Sequence, residues 1–263
     1  MPGKFYIVGA GLSADLISLK AVKILKNVDL IFIDMYTSIL LGDAEELKKY
    51  IGAKEFIPLR RSDVEEKPHE TIFKHIESGL NVAFLVPGNP LDATTHASLV
   101  VEAWKKGIDF EIIPAPGIIP NAVSMSGLMV YKVGKVVTLT FPKHGIYSEY
   151  PYDVIKDNDL RNLHTLLLLD LDLENNKVMQ VSEAVDLLYQ LENLRREGVI
   201  SPRRLGIAVS GLGGPKQRIC FDTLEKLRGL PNHDGPNTLI ITSPKLHFME
   251  EEVAKVISNV YCR

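Results

Sequence analysis

VAFLVPGNPLDATTH, residues 82–96, is the stretch whose reading decides the fold. Five apolar residues, Val82–Val86, suit a buried strand and are too few for a buried helix. Pro87, Gly88, Asn89 and Pro90 end the run, and a helical pattern follows over residues 97–106. Strand, stiff loop and helix make half of a βαβ unit, and open α/β sheets bind ligands at the carboxyl ends of their strands. A Pro-Gly-Asn-Pro turn can present carbonyls and amides to a ligand at little ordering cost. Thr94 or Thr95 can cap the helix.

The same rhythm extends in both directions. Residues 5–8 and 30–33 read as strands. Between them Leu16, Leu19, Val22, Ile24 and Leu25 recur at helical spacing, with Asp15 or Ser18 as the cap, and a second helix spans 43–51. A strand at 110–113 runs into Pro114, Pro116, Gly117 and Pro120, which break the pattern. A new series follows: strands at 136–141, 163–169, 205–210, 217–221 and 238–241, a helix at 182–196 and a closing helix from His247. The expected class is α/β, with mainly parallel pairing in the first half and a mixed sheet in the second, where connections are shorter. The boundary falls between Gly117 and Lys135, giving domains 1–118 and 119–263.

At 263 residues the chain is too long for one small core. A formal net charge of −3 argues against a general nucleic-acid binder, so no direct nucleic-acid partner is expected. Cys220 and Cys262 have no metal-ligand spacing and read as two reduced thiols. The N-terminal residues lack the apolar core of a signal peptide, and the apolar run at 166–169 stops at Asp170, far short of a membrane span. A cytoplasmic protein is expected.

Gly9-Ala10-Gly11-Leu12-Ser13-Ala14 after the first strand, with Asp34 ending the second, has the form of a dinucleotide fingerprint. Any tight strand-to-helix turn also selects glycine. Against the nicotinamide reading, the better helix caps come several residues after the glycines, so no helix N-terminus faces a pyrophosphate. His69 and His75 are badly spaced for a metal. His247 with Glu250 and Glu251 has ligand-like spacing but matches a favourable helix start, so no metal is expected.

PGNPLDATTHASL (87–99) resembles the PGDPLxATTHxxL loop of the diphthine synthases, within the tetrapyrrole methylase superfamily. Further segments agree in order: GAGL (9–12), MYTS (35–38), APGI (115–118), GLMVYKVGK (127–135), LHTLLLLDL (163–171) and KLH (245–247). The resemblance implies two α/β domains with S-adenosylmethionine in the cleft between them, S-adenosylhomocysteine as product, and a homodimer. It also implies repeated methylation of the amino group on a modified histidine of translation elongation factor 2. Motif by motif, it implies cofactor contacts at Leu12, Asn89, Asp92, Gly117, Ile118, Leu169, Leu212 and Thr238. Asn89 stands where the family usually has Asp, and Asp92 where it usually has an apolar residue. One reading gives the lost carboxylate role to Asp92; the other makes Asp92 a helix cap. Tyr36 and Tyr131 are candidate aromatic faces for the cationic product, and Lys132, Lys135 and Lys143 candidate partners for the acceptor's carboxylate. No general base is nominated. The alternatives are another acceptor, tetrapyrrole or rRNA, or a non-catalytic paralogue that binds the cofactor.

Overall fold

The computed structural model describes residues 1–262. Its strands are β1 (Phe5–Gly9), β2 (Leu30–Asp34), β3 (Phe56–Leu59), β4 (Val82–Val86), β5 (Phe110–Ile113), β6 (Val137–Leu139), β7 (Thr165–Leu169), β8 (Leu171–Asp172), β9 (Lys177–Val178), β10 (Leu205–Ser210), β11 (Arg218–Thr223) and β12 (Asn237–Ile241). Its helices are α1 (Leu19–Asn27), α2 (Ala44–Tyr50), α3 (Arg61–Glu65), α4 (Lys74–Glu77), α5 (Ala97–Lys105), α6 (Ile118–Met125), α7 (Tyr150–Leu160), α8 (Val181–Arg195), α9 (Leu224–Arg228) and α10 (Phe248–Tyr261). Two compact units emerge: residues 1–118 with 213–215, and residues 119–212 with the chain from Lys216 on.

The first unit holds a five-stranded sheet in the order β3-β2-β4-β1-β5, parallel at every pairing. β4 is buried at all five positions because helices cover both faces, which is why it reads as an unbroken apolar run. α1 starts at Leu19, where Ser18 Oγ accepts from the Ala21 amide, and Asp43 caps α2 in the same way. Neither Thr94 nor Thr95 caps α5. The Thr94 hydroxyl donates to Pro90 O, the Thr95 hydroxyl to Glu65, and the cap residue is His96 with no side-chain bond to the helix.

The second unit has a five-stranded sheet in the order β11-β10-β12-β7-β6. It is mixed: β10 runs antiparallel to β11 and β12, β12 antiparallel to β7, and β6 parallel to β7. Its core gathers around Tyr152, Leu167, Leu188, Ala208 and Leu239. The expectation of two separate thiols is corrected here. Cys220 in β11 and Cys262 after α10 form a disulfide with Cα atoms 4.8 Å apart. α10 packs on β11, and Phe221 N donates to Ser258 Oγ on that helix, so packing brings the two cysteines within bridging range. Among the described residues, no helix is long and apolar enough to cross a membrane.

Candidate functional site

In the first unit, the loops that follow β1, β4 and β5 converge at the carboxyl ends of adjacent parallel strands. Gly11 and Gly88 form a two-way bridge, with Gly11 N donating to Gly88 O at 3.2 Å and Gly88 N to Gly11 O at 2.7 Å. A Cβ on Gly9 would lie 2.7 Å from Ala115 Cβ, 2.8 Å from Gly88 O and 2.9 Å from Pro90 Cδ. Gly9 is therefore glycine because the loops after β4 and β5 both crowd against it. Leu12 follows the bridge, beside Gly213.

α1 begins well after Gly11, and the glycine loop leads only into a single 3-10 turn at Ala14–Leu16, so the long-helix N-terminus that a dinucleotide site presents to pyrophosphate does not follow it. Asp34 is committed as well. It is buried, its Oδ1 accepts from Tyr36 N (2.8 Å) and Thr37 N (3.1 Å), and its Oδ2 accepts from the Thr37 hydroxyl.

Asn89 and Asp92 differ sharply in what they face. Asn89 is turned into its own surroundings: Nδ2 donates to Ala115 O and Oδ1 accepts from Leu91 N, both at 3.3 Å. The Asp92 carboxylate lies against Gly117, where any side chain would collide with its Oδ2. Burial raises the pKa of Asp92 above the ordinary carboxylate value. Asp92 does not cap α5, which starts five residues later. Asn89, Asp92, Gly117 and, next in sequence, Ile118 thus share one strand-end corner.

In the second unit, Leu169 closes β7 and Thr238 pairs with Leu168 and Val209. Ser210, the last residue of β10, pairs with Asn237 at the start of β12, and Leu212 lies two residues further on. Leu169, Leu212 and Thr238 therefore gather at one end of this sheet. Two unpredicted residues share that end. Ser210 and Asn237 are buried, and Ser210 Oγ and Asn237 Oδ1 have no hydrogen-bond partner. Asn237 Nδ2 donates to Met179 O at 2.9 Å, leaving its carbonyl as the open acceptor. Thr238, one position along, points to the opposite face of the strand. Asn237 follows Pro236 directly at a strand start, a position whose buried, unpaired carbonyl only the tertiary structure reveals.

The remaining candidates fall elsewhere. Tyr36 is buried, with Arg61 over its ring at 5.0 Å, so it offers no open aromatic face. Lys132 is held by Glu250 at 2.8 Å, in a cluster at the start of β7, the end opposite Leu169. Tyr131 is exposed at that same far end. In the cluster, Glu250 also accepts from Met129 N (2.8 Å) and His164 Nε2 (3.0 Å), while Ser243 N donates to His164 Nδ1 (2.8 Å). His247 caps α10 in a reciprocal box with Glu250. Lys135 lies over the Tyr150 ring at 5.0 Å, and Lys143 is exposed in a tight turn bonded to Ile146.

Comparison with known proteins shows the family. The description "Tetrapyrrole (Corrin/Porphyrin) Methylases" matches residues 4–228. The diphthine synthase of Methanocaldococcus jannaschii is 37% identical over 244 residues, covering 91% of this chain and 93% of that one. The diphthine synthase of Sulfurisphaera tokodaii is 33% identical over 251 residues, covering 95% and 97%. A crystal structure of diphthine synthase superposes with a TM-score of 0.85 at 29% identity, covering 98% of this chain and 96% of that one. A family match over residues 4–228, with relatives alike over nearly the whole length, places the chain with these enzymes: it belongs to the tetrapyrrole methylase family, in the diphthine synthase branch.

Proposed function

We propose that this methyltransferase uses S-adenosylmethionine to methylate, up to the trimethylammonium, the amino group of the modified histidine precursor on elongation factor 2. The observation that carries the reading is the Asp92 carboxylate seated on Gly117 among three converging strand-end loops. That corner suits a cofactor with hydroxyls and a cationic centre: it offers one carboxylate and crowded, rigid backbone. The buried unpaired oxygens of Ser210 and Asn237 suit a ligand that carries hydrogen-bond donors and acceptors. In the first unit the residues proposed for the cofactor are Leu12, Asn89, Asp92, Gly117 and Ile118. In the second unit the family resemblance adds Leu169, Leu212 and Thr238, whose sheet end Asn237 and Ser210 share.

When bound, the sulfonium supplies an already electrophilic methyl group, so the protein's task is alignment and exclusion of water. Asn89 stiffens the loop through its two bonds to backbone, and Asp92 supplies the carboxylate that residue 89 lacks. Within the first unit, the apolar side chains of Leu12 and Ile118 help to exclude water from the cofactor corner. A cytoplasmic location follows from the choice of acceptor.

A homodimer is part of the same reading. Met249, Val253, Val256 and Val260 form an exposed apolar stripe along α10 at the spacing of a helix–helix seam, and Gly127 backs directly onto Val253. Exposed Met129, Val130 and Tyr131 lie beside it, tied to Glu250 through Met129 N. Monomers rarely leave such a patch open, and a two-fold pairing buries it on itself.

The test is to incubate the protein with labelled S-adenosylmethionine and elongation factor 2 carrying the unmethylated precursor. Label should appear on the factor and vanish when the precursor histidine is replaced. Cofactor binding without transfer, on a factor that an active diphthine synthase does label, would favour another acceptor or a non-catalytic paralogue.

A further inference from the structure

His96 closes the loop that carries Asn89 and Asp92, and its ring is fully buried. Both ring nitrogens are engaged: Nδ1 is 3.1 Å from Pro90 O, and Nε2 is 3.1 Å from the Tyr36 hydroxyl and 3.5 Å from Asp34 Oδ2. A carbonyl can only accept, so Nδ1 carries the proton and donates to Pro90. In the neutral ring Nε2 is then the acceptor of the Tyr36 hydroxyl. Burial keeps the ring neutral by lowering its pKa, against the opposing pull of Asp34. Phe84 on β4 packs edge-on at 5.1 Å and fixes the ring plane.

This arrangement sacrifices something local. His96 is the cap residue of α5, yet its side chain turns away from the helix amides. A capping side chain there would stabilise the helix. The loop is also held in uncommon backbone states, with Gly88 at φ +76° and Ala93 at φ +54°. A non-glycine residue in that region persists only where its surroundings over-determine it. His96 and Thr94 provide that determination, since both donate to the same Pro90 carbonyl, midway between Asn89 and Asp92.

We propose that His96 is a positioning residue for cofactor binding: its Nδ1–H holds the Pro90 carbonyl and thereby sets Asn89 and Asp92 at the end of β4. The proposal rests on the cofactor reading above and assigns a role that touches neither ligand nor acceptor. It places specificity in one nitrogen of one ring, and that makes it separable from simple core packing.

The experiment compares His96→Asn with His96→Gln. The Asn amide can occupy the place of Nδ1 and keep the bond to Pro90. The Gln amide reaches the place of Nε2 and loses it. Calorimetry with S-adenosylmethionine should find the Asn variant within about threefold of wild type and the Gln variant weaker by about tenfold. Turnover at saturating cofactor and the KM for the acceptor should stay within about twofold in both. Wild-type affinity in the Gln variant, equal losses in both variants, or an effect confined to the acceptor KM would each overturn the proposal. Long-range proton–nitrogen correlation spectra of the wild-type ring give a test that needs no variant to fold. A protonated Nδ1 with an unprotonated Nε2 is expected, and the opposite tautomer would overturn it. A wild-type protein that binds no S-adenosylmethionine, yet shows the Nδ1-protonated ring, would sink the cofactor reading and with it this role, whereas the variant outcomes sink the positioning role alone.

Discussion

Asp92 and Asn89 show how two neighbouring polar residues acquire different roles from backbone alone. Asn89 spends both ends of its amide on the loop, while Asp92 presents its carboxylate over the one residue that has no side chain to block it. Asp92→Asn should weaken S-adenosylmethionine binding by about tenfold or more, the loss expected when a charged acceptor is neutralised. Calorimetry checks this, with an unchanged circular dichroism spectrum as the control for folding. Unaltered affinity would remove Asp92 from the site. Gly9→Ala makes a complementary prediction. Its methyl would press on Ala115, Gly88 O and Pro90 within 3 Å, so the three loops must part. A stability loss of about 1–3 kcal/mol, read by denaturant unfolding, should accompany weaker cofactor binding.

Among elements, the start of β7 and the start of α10 are joined by the Glu250 cluster. Burial by itself would raise the pKa of Glu250. The bonds from Lys132, Met129 N and His164 outweigh burial and push it down to about 2 from an ordinary 4.5. A carboxylate with a depressed folded pKa contributes stability that is fully present above about 4.5 and lost as pH falls toward 2. That contribution is on the order of 3 kcal/mol. Unfolding midpoints followed from pH 6 to pH 2.5 should therefore fall more steeply for the wild type than for Glu250→Gln. The variant should be the less stable of the two at pH 7, because it leaves Lys132 without its partner. Parallel curves would show that the cluster contributes nothing ionic. The segments GLMVYKVGK, LHTLLLLDL and KLH, which carried part of the family resemblance, thus meet in one structural clasp away from Leu169.

For the whole molecule, the disulfide and the α10 face matter most. The Cys220–Cys262 bridge spans 42 residues of sequence. Closing a loop of that length is worth about 4 kcal/mol in the chain-entropy account. Cys262→Ser, or reduction of the wild type, should lower the unfolding free energy by up to that amount. Cofactor affinity should stay constant, because the bridge joins Cys220 of β11 to the residue that ends α10 and involves none of the residues proposed to hold the cofactor. The exposed stripe on α10 predicts a dimer in sedimentation or light scattering at micromolar concentration, and Val256→Asp should convert it to monomer. A monomeric wild type would leave the stripe without its proposed partner.

The sequence by itself determined the layered architecture, because strand and helix periods are local properties of apolar spacing. Val82–Val86, Phe110–Ile113 and Leu205–Ser210 appear at the residues their patterns indicate. The PGNPLDATTH loop was legible as a rigid strand-end turn for the same reason: proline and glycine constrain the backbone wherever they stand. Short or irregular elements escaped, among them edge strand β3 with Pro58 and helices α3, α6 and α9, where too few residues repeat for a period to emerge. What only the tertiary structure decided is which polar groups are already satisfied. Asp34, Tyr36 and Lys132 are ordinary candidates as letters, and each is consumed by partners distant in sequence or by the fold of its own turn. Asn237, Ser210, His96 and the paired cysteines have no local signature, since a hydrogen bond, an unmet carbonyl or a disulfide depends on what the folded chain brings alongside.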